Sequence, residues 1–210
     1  MPKSSTWVVK LGGAMMHSAD LVRWLEACAA PGAVRCVVVL GGGRLADEVR
    51  ALHARWAFEE AHAHELAIAA MAINAGVAAA LAPGLASFSR NLPDGNGSVL
   101  WRPGGACEWL GVPASWSATS DTLALALGRV LHADAVYLVK SPPEAAFPSG
   151  DAAACAAAGF IDAYLPRLLV DSAVPVSAVS REAVDAFAAA RTAGAPVGRR
   201  LRAAVDASSP

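Results

Sequence analysis

Charged residues are scarce in this sequence, and neither sign dominates. Only 17% of the 210 residues are charged, 55% are hydrophobic, and the formal net charge is −1. Intrinsic disorder requires the opposite balance, so we do not expect a disordered chain. A near-neutral chain also lacks the excess of positive charge that a nucleic-acid groove or an anionic membrane surface needs, and we expect neither partner.

Cysteine is also rare, and its positions form no recognisable metal or disulfide pattern. The four cysteines are Cys28, Cys36, Cys107 and Cys155. They include no C-x-x-C pair, so a zinc site or a disulfide framework is poorly supported, and we expect buried thiols in a reducing, cytoplasmic compartment. His62 and His64 are two residues apart and do not share a helical face, which argues against a metal role.

No targeting or membrane segment is predicted. Lys10 interrupts the apolar run that begins at Trp7, which argues against a signal peptide. Residues 66–89 carry no charge, but the stretch is mostly alanine and Pro83 interrupts it. We interpret it as a helix over 61–81, and a helix that is apolar on every side is buried in a core or in a subunit interface.

Strand-like and helix-like patterns alternate along the chain. Apolar and β-branched runs predict strands over 7–11, 34–40, 98–101, 135–139, 174–179 and 196–201. Helical periodicity predicts helices over 20–30, 44–58, 61–81 and 181–191, and a further one after a cap at Ser120. The region 88–107 is rich in Gly, Pro and Asn and is typical of a hairpin or irregular lobe. This order predicts one domain over 1–210, a three-layer α/β/α sandwich around a mostly parallel sheet.

The first motif with chemical meaning is a strand end that carries a lysine and two glycines. Lys10 lies near the end of the first predicted strand, and Gly12 and Gly13 follow it. Glycine lets backbone N–H groups approach a phosphate closely, and lysine supplies the counter-charge. The spacing is neither a Walker A motif nor a Rossmann fingerprint. An ordinary strand and turn is the alternative.

A second glycine turn follows the next buried strand. Gly41, Gly42 and Gly43 stand between the strand 34–40 and the helix 44–58. Three consecutive glycines are costly in backbone entropy, so a plain turn does not need them. The helix that follows adds a favourable potential for an anion. The two turns together predict two phosphate positions.

The third motif lies at the start of a predicted helix. Thr119, Ser120 and Asp121 are all good N-cap residues, which is the structural interpretation of the segment. The functional interpretation is that Asp121 holds lysine ammonium groups in place beside the phosphates.

In this order, the motifs resemble those of the amino acid kinase family, whose members begin with K-x-G-G, continue with a G-G-G turn and carry an S-D or N-x-D turn before a helix. The segments 9–13, 64–71 and 115–121 are similar to one branch, the [5-(aminomethyl)furan-3-yl]methyl phosphate kinases of methanofuran and methylofuran biosynthesis in one-carbon metabolism. The resemblance covers nearly the whole chain, and its specific part is the first two-thirds. It implies a homodimer that transfers the γ-phosphoryl group of ATP to a small phosphate monoester, with Mg²⁺ arriving on the nucleotide and no metal site built by the protein.

The resemblance also implies roles for individual residues. Lys10 bridges the donor and acceptor phosphates, and Asp121 positions Lys10. The N–H donors come from Gly12, Gly13, Gly41, Gly42 and Gly43.

One loop departs from the family pattern. Where the family carries a T-D-V-D-G-V-Y-like loop, this chain reads from Tyr137 to Pro143, and the later glycine–lysine pair is missing. Lys140 is the predicted substitute, and Ser120 and Ser141 are the further nucleotide-binding candidates. A surface lysine at a strand end is the alternative for Lys140.

Other functions share this skeleton. They are a kinase for another acceptor, such as isopentenyl phosphate or an amino-acid carboxylate, a non-catalytic nucleotide-binding or regulatory subunit, and a storage protein. Trp109 and Trp116 are candidates for an aromatic substrate pocket, with core packing as the alternative. A substrate amine requires a nearby carboxylate, and the candidates are Asp47, Glu65 and Asp94.

Overall fold

The computed structural model describes residues 5–104 and 107–203, and a seven-stranded sheet forms its centre. The strands are β1 (Ser5–Leu11), β2 (Val34–Leu40), β3 (Ala86–Phe88), β4 (Val99–Trp101), β5 (Ala135–Lys140), β6 (Val176–Ser180) and β7 (Arg199–Leu201). Their spatial order is β3-β4-β2-β1-β5-β6-β7, and every pairing is parallel except that of β7, which closes one edge antiparallel to β6.

Helices cover both faces of the sheet, as the sequence predicts. They are α1 (Asp20–Ala29), α2 (Gly43–Trp56), α3 (Glu60–Leu81), α4 (Cys107–Leu110), α5 (Ser120–Val130), α6 (Ala152–Ala157), α7 (Leu165–Val170) and α8 (Val184–Ala193). Neighbouring residues of β1 enter opposite layers: Val8 belongs to the same buried cluster as Leu123 of α5, and Val9 belongs to the cluster of Trp24 of α1 and Phe187 of α8. Because β1, β2 and β5 are covered on both sides, apolar residues dominate both of their faces instead of alternating with polar ones.

Most predicted elements lie within a few residues of their predicted bounds. Of the two alternatives for the region 88–107, the hairpin is wrong, whereas the loop 89–98 agrees with the irregular alternative. β3 and β4 run parallel, with the loop 89–98 between them. The buried side chain of Arg35 fixes this loop, since its Nε donates to the carbonyl of Gly97 at 2.7 Å and its Nη2 donates to the carbonyl of Pro93 at 2.9 Å. The chain is thereby returned to the start of β2 before β4 begins, so β4 runs in the direction of β2 and β3.

Helix α3 is buried on only one face. Among the described residues it is the one helix long and apolar enough to cross a membrane by length and composition, which is weak evidence for a span. Its core-facing side includes two buried polar residues, His64 and Asn74, that bind loop backbone. The opposite side leaves apolar residues 38–57% exposed, namely Leu66, Ile73, Val77 and Leu81.

Candidate active site

Two buried lysines share one carboxylate at the carboxyl ends of the central strands. Lys10 Nζ of β1 lies 2.8 Å from Oδ1 of Asp121, and Lys140 Nζ of β5 lies 2.7 Å from Oδ2. The side chains of Lys10, Asp121 and Lys140 are only 8%, 6% and 11% exposed. Buried charges are costly unless they are paired. This trio pairs two positive charges with one negative charge, and the remaining positive charge favours an anionic ligand.

Burial and charge act against each other on these pKa values. Burial alone raises the pKa of Asp121, but the charges of Lys10 and Lys140 outweigh it and hold the pKa well below the ordinary range of a carboxyl group. Burial lowers the pKa of Lys140; the charge of Asp121 opposes this effect and that of Lys10 adds to it. Asp121 is therefore ionised at neutral pH, and Lys140 loses its proton at a lower pH than an ordinary lysine.

The two glycine turns pack against each other, backbone to backbone. A methyl group added at Gly13 would lie 2.1 Å from the backbone nitrogen of Gly43, and one at Gly41 would lie 2.7 Å from the nitrogen of Gly13. Gly43 also has a φ of +54°, a conformation that favours glycine. These glycines are required for the close approach itself, which brings the turns after β1 and β2 to one place beside the two lysines.

A buried amide on α3 holds the second turn. Nδ2 of Asn74 donates to the carbonyl of Gly41 at 2.7 Å and to that of Gly42 at 2.9 Å. The hydroxyl of Ser120 lies against the same turn, 3.3 Å from a methyl group added at Gly41. Sequence reasoning missed Asn74, although a single amide inside an otherwise apolar helix is a recognisable sign of a buried hydrogen bond.

A cleft of about 160 Å³ opens beside this turn, between α2, α3 and the loop that precedes α5. Gly42, Gly43 and Ser120 line one end, so Ser120 lies on the side of the second glycine turn. Asp47 and Arg50 contribute the charges of the wall. The cleft therefore joins a glycine-rich end to a small chamber with one acidic and one basic side chain.

The loop before α5 is fixed against α2 and α3. His64 Nε2 lies 2.8 Å from the carbonyl oxygen of Ala118. The backbone N–H of Trp116 donates to Oε1 of Glu60 at 2.8 Å, and its indole N–H donates to Nδ1 of His53 at 3.1 Å. Trp116 thus lines the cleft.

Trp109, the other aromatic candidate, packs against the core cluster that includes α5. Its place agrees with the core-packing alternative and not with a role in the cleft.

The first turn of α5 is capped from outside the helix, which the sequence did not predict. Ser120 is the first helical residue instead of the cap, and the N-cap residue Thr119 makes no capping bond with its side chain. Oδ2 of Asp162 accepts the N–H groups of Thr119 at 2.8 Å and of Thr122 at 2.9 Å. Asp162 comes from the segment between α6 and α7, two helices that sequence reasoning also missed.

The remaining predicted residues lie around this centre. Ser141 is exposed directly after β5, and the Nζ of Lys140 lies 5.2 Å from the ring centre of Phe160. Glu65 is exposed and 3.6 Å from His62, and Asp94 is exposed in the loop 89–98. Of the three carboxylates predicted for a substrate amine, Asp47 is the one that lines the cleft.

The last predictions to compare with the structure concern the cysteines and a metal site. The thiols of Cys28, Cys36 and Cys155 are free and buried, whereas the side chain of Cys107 lies outside the described residues. Within residues 5–104 and 107–203, no group of three or more His, Cys, Asp or Glu side chains is placed to hold a metal ion.

Comparisons with known proteins give structural matches only. No family profile and no curated protein sequence matches the chain. Uridylate kinase from Archaeoglobus fulgidus is similar over 93% of this chain and 99% of that chain, with a TM-score of 0.65 and 18% identity. UMP kinase from Bacillus anthracis is similar over 96% and 97%, with a TM-score of 0.68 and 13% identity.

A third match is to a larger protein. Aspartate kinase from Synechocystis is similar over 85% of this chain but only 38% of that chain, with a TM-score of 0.63 and 16% identity. At such identities the likeness shows the fold. The chain has the α/β fold of uridylate and aspartate kinases, which are members of the amino acid kinase family.

Proposed function

We propose that this protein is an ATP-dependent kinase that transfers the γ-phosphoryl group to a small phosphate monoester and forms a diphosphate. The observation that carries the proposal is the pair of buried lysines, Lys10 and Lys140, that share Asp121 beside two glycine turns. In open parallel sheets, ligands bind outside the carboxyl ends of the strands, where this group lies. The kinase fold of the structural neighbours supports the same function.

The chemistry requires alignment and charge neutralisation more than proton transfer. An oxygen of the acceptor phosphate attacks the γ-phosphorus, the bond from that phosphorus to the β–γ bridging oxygen breaks, and ADP leaves with the electron pair. The acceptor needs little help from a general base, because the second pKa of a phosphate monoester is about 6. Lys10 neutralises charge between donor and acceptor, Lys140 binds the nucleotide phosphates, and the glycine turns donate N–H groups.

Mg²⁺ fits this site as a companion of the nucleotide. Both oxygens of Asp121 are occupied by lysines, and the described residues offer no cluster of acidic ligands. Mg²⁺ is commonly held by substrate phosphates and water with few protein ligands. When bound, it neutralises phosphate charge and orients the oxygens.

For the acceptor we propose [5-(aminomethyl)furan-3-yl]methyl phosphate, the substrate implied by the motifs 9–13, 64–71 and 115–121. The cleft of about 160 Å³ is smaller than the range of roughly 300–1,000 Å³ that drug-sized ligands occupy, so it suits a single ring. In this proposal the acceptor phosphate binds at Gly42 and Gly43, and its amine competes for Asp47 with Arg50, whose Nη1 lies 3.6 Å from Oδ1 of Asp47.

Turnover with a set of acceptors tests the proposal. With ATP and Mg²⁺, we expect the aminomethylfuran phosphate to be converted faster than uridine monophosphate, isopentenyl phosphate or aspartate. Faster conversion of uridine monophosphate would contradict the proposed acceptor but not the proposed kinase activity. ATP binding by calorimetry without turnover of any acceptor would instead favour a non-catalytic nucleotide-binding protein.

Asp47 offers a sharper test of the acceptor. Asp47→Asn removes the negative charge, so KM should rise for the aminated acceptor and stay constant for the same phosphate without its amine. Glu65→Gln is the matched control, because Glu65 is exposed on α3 outside the cleft lining. An equal change of KM for both acceptors would mean that Asp47 does not recognise the amine.

We further propose that the protein is a cytoplasmic homodimer. The exposed stripe of Leu66, Ile73, Val77 and Leu81 supports a second copy of the chain as the partner, since these residues follow one side of α3 over four turns.

A further inference from the structure

The carboxylate of Asp162 caps the N-terminus of α5, although α5 has good N-cap residues of its own. Three good N-cap residues stand at the start of this helix, yet the hydroxyl of Thr119 is turned away and donates to Asp162 at 3.0 Å. Asp162 also accepts from both the N–H and the hydroxyl of Thr122, the third helical residue, whose N–H an N-cap side chain ordinarily binds. It further accepts the N–H of Leu165 at 3.0 Å, which ties α7 to the same point.

This arrangement matters because Asp121 lies in the same first turn. A carboxylate in the first turn of a helix is attracted to the free N–H groups and the positive end of the dipole. Because the N–H of Thr122 already donates to Asp162, this donor does not draw the carboxylate of Asp121 toward the helix backbone. We infer that Asp162 is a positioning residue: it caps α5 from outside and thereby leaves both oxygens of Asp121 to Lys10 and Lys140. Its effect on turnover rests on the proposed kinase function, whereas its effect on the lysines does not.

Charge gives Asp162 a second influence on Lys140. The groups that face Lys140 are Asp121 of α5, Lys10 of β1, Asp162, the thiol of Cys155 in α6 and the ring of Phe160. Burial lowers the pKa of Lys140, and the negative charge of Asp162 acts with that of Asp121 to raise it. Removal of the Asp162 charge should therefore lower the pH at which Lys140 loses its proton.

The scarcity of lysine makes this measurable without any activity. The chain contains three lysines, Lys3, Lys10 and Lys140. Protein labelled with carbon-13 at the lysine ε-carbon should give three NMR signals, which Lys3→Arg and Lys140→Arg assign. We expect the titration midpoint of Lys140 to move to lower pH in Asp162→Asn. Asp151→Asn is the matched control: Asp151 caps α6 through the N–H of Ala154, and its substitution should leave the Lys140 midpoint unchanged.

Steady-state kinetics provide a second test of the role of Asp162. In Asp162→Asn, kcat should fall by roughly 10- to 100-fold with a smaller change of KM, as expected when reacting groups are displaced by a fraction of an ångström. If the parent protein turns over no acceptor, the kinase proposal fails, and the positioning role is then decided by Thr122→Val, which keeps the charge of Asp162 and changes only its hold on α5. An identical Lys140 titration in Asp162→Asn and Asp151→Asn would make Asp162 a helix cap only and overturn the inference.

A second variant keeps the test decisive if Asp162→Asn does not fold. Thr122→Val removes one hydrogen bond to Asp162 and retains both carboxylates. The ε-carbon shifts of Lys10 and Lys140 should change in it, because Asp121 is then less firmly held toward them. Shifts that equal those of the parent would overturn the inference.

Discussion

Lys10 and Lys140 stand on neighbouring parallel strands and bind opposite oxygens of one carboxylate. The register pairs Lys10 with Leu138, so Lys140 lies two residues further along β5. Residues two apart in a strand project to the same face, and Val8 and Leu138, which precede the two lysines by two residues, both pack in the layer of α5. Strand register and side-chain alternation thus aim both ammonium groups at Asp121, in the first turn of α5.

The shared carboxylate predicts an order of stability among variants. Asp121→Asn removes the one carboxylate that both buried ammonium groups contact, whereas Lys10→Met or Lys140→Met leaves Asp121 with one lysine. We expect Asp121→Asn to lower the free energy of unfolding by about 3–5 kcal/mol and each lysine variant to lower it by less. Urea denaturation at pH 7 measures all three, and a lysine variant less stable than Asp121→Asn would contradict the shared pairing.

Low pH should protonate Asp121 and thereby remove the stabilisation that its pairing with the two lysines provides. The pKa of Asp121 is lower in the folded protein than in the unfolded chain, so its contribution is fully present above the unfolded value of about 3.9 and is lost as pH falls toward the folded value. Between pH 5 and pH 2, the parent should lose more stability than Asp121→Asn does. Parallel pH dependences of the two proteins would mean that Asp121 is not held ionised by the lysines.

Lys140 should contribute to nucleotide binding. Lys140→Ala removes a charge-assisted hydrogen bond to phosphate worth on the order of 1.5–3 kcal/mol, or roughly a 10- to 150-fold higher Kd for ATP. Calorimetry with MgATP measures it, and Arg23→Ala serves as the control, since Arg23 is an exposed cation paired with Asp185 on the surface. A parent-like Kd in folded Lys140→Ala would leave Lys140 with a structural role alone.

The contact between the glycine turns predicts a steric effect. In Gly13→Ala the new methyl group meets backbone atoms of Gly43 that cannot move aside, so stability should fall by on the order of 3 kcal/mol and ATP affinity should fall with it. Gly84→Ala is the control, because a methyl group there meets nothing within 4 Å. Equal thermal midpoints for the two variants would show that the turns do not pack as described.

The exposed stripe on α3 predicts the effect of a charge. Ile73 is 57% exposed at the centre of the stripe, and Ile73→Glu should convert the proposed dimer to a monomer in light scattering at micromolar concentration. Val170→Glu is the control, since Val170 is 66% exposed on α7, away from this helix. If Ile73→Glu is still a dimer, the interface lies elsewhere. If the parent protein is itself a monomer, the proposed dimer is wrong.

The sequence predicted the sheet well because its central strands are buried on both faces. Such strands are mostly apolar on both faces and are followed by glycine, as at Val34–Leu40 with Arg35 as its one charged residue, so the pattern of the sequence detects them directly. The hairpin in the region 88–107 was wrong because β3 and β4 run parallel, and the loop between them is bound by Arg35, a residue of another strand. Local composition carries no information on that contact.

The site was predictable where its residues lie in local motifs. Lys10, the glycines and Asp121 stand at strand ends or at a helix start, where a short pattern reveals them. Asp162 and Asn74 act across 40 and 33 residues of sequence, on Thr122 and Gly41 respectively, and neither lies in such a pattern. Their roles became visible only when the fold brought the segments together.

The central claim is that Lys10 and Asp121 act together in phosphoryl transfer, and steady-state kinetics on four proteins tests it. The proteins are the parent, Lys10→Ala, Asp121→Asn and the double variant, assayed with ATP and the aminomethylfuran phosphate. We expect Lys10→Ala to lose on the order of 10²–10³ in kcat with a smaller change in substrate affinity, because charge neutralisation matters most in the transition state. The double variant should lose less than the product of the single losses. A near-parent kcat in folded Lys10→Ala would contradict the account.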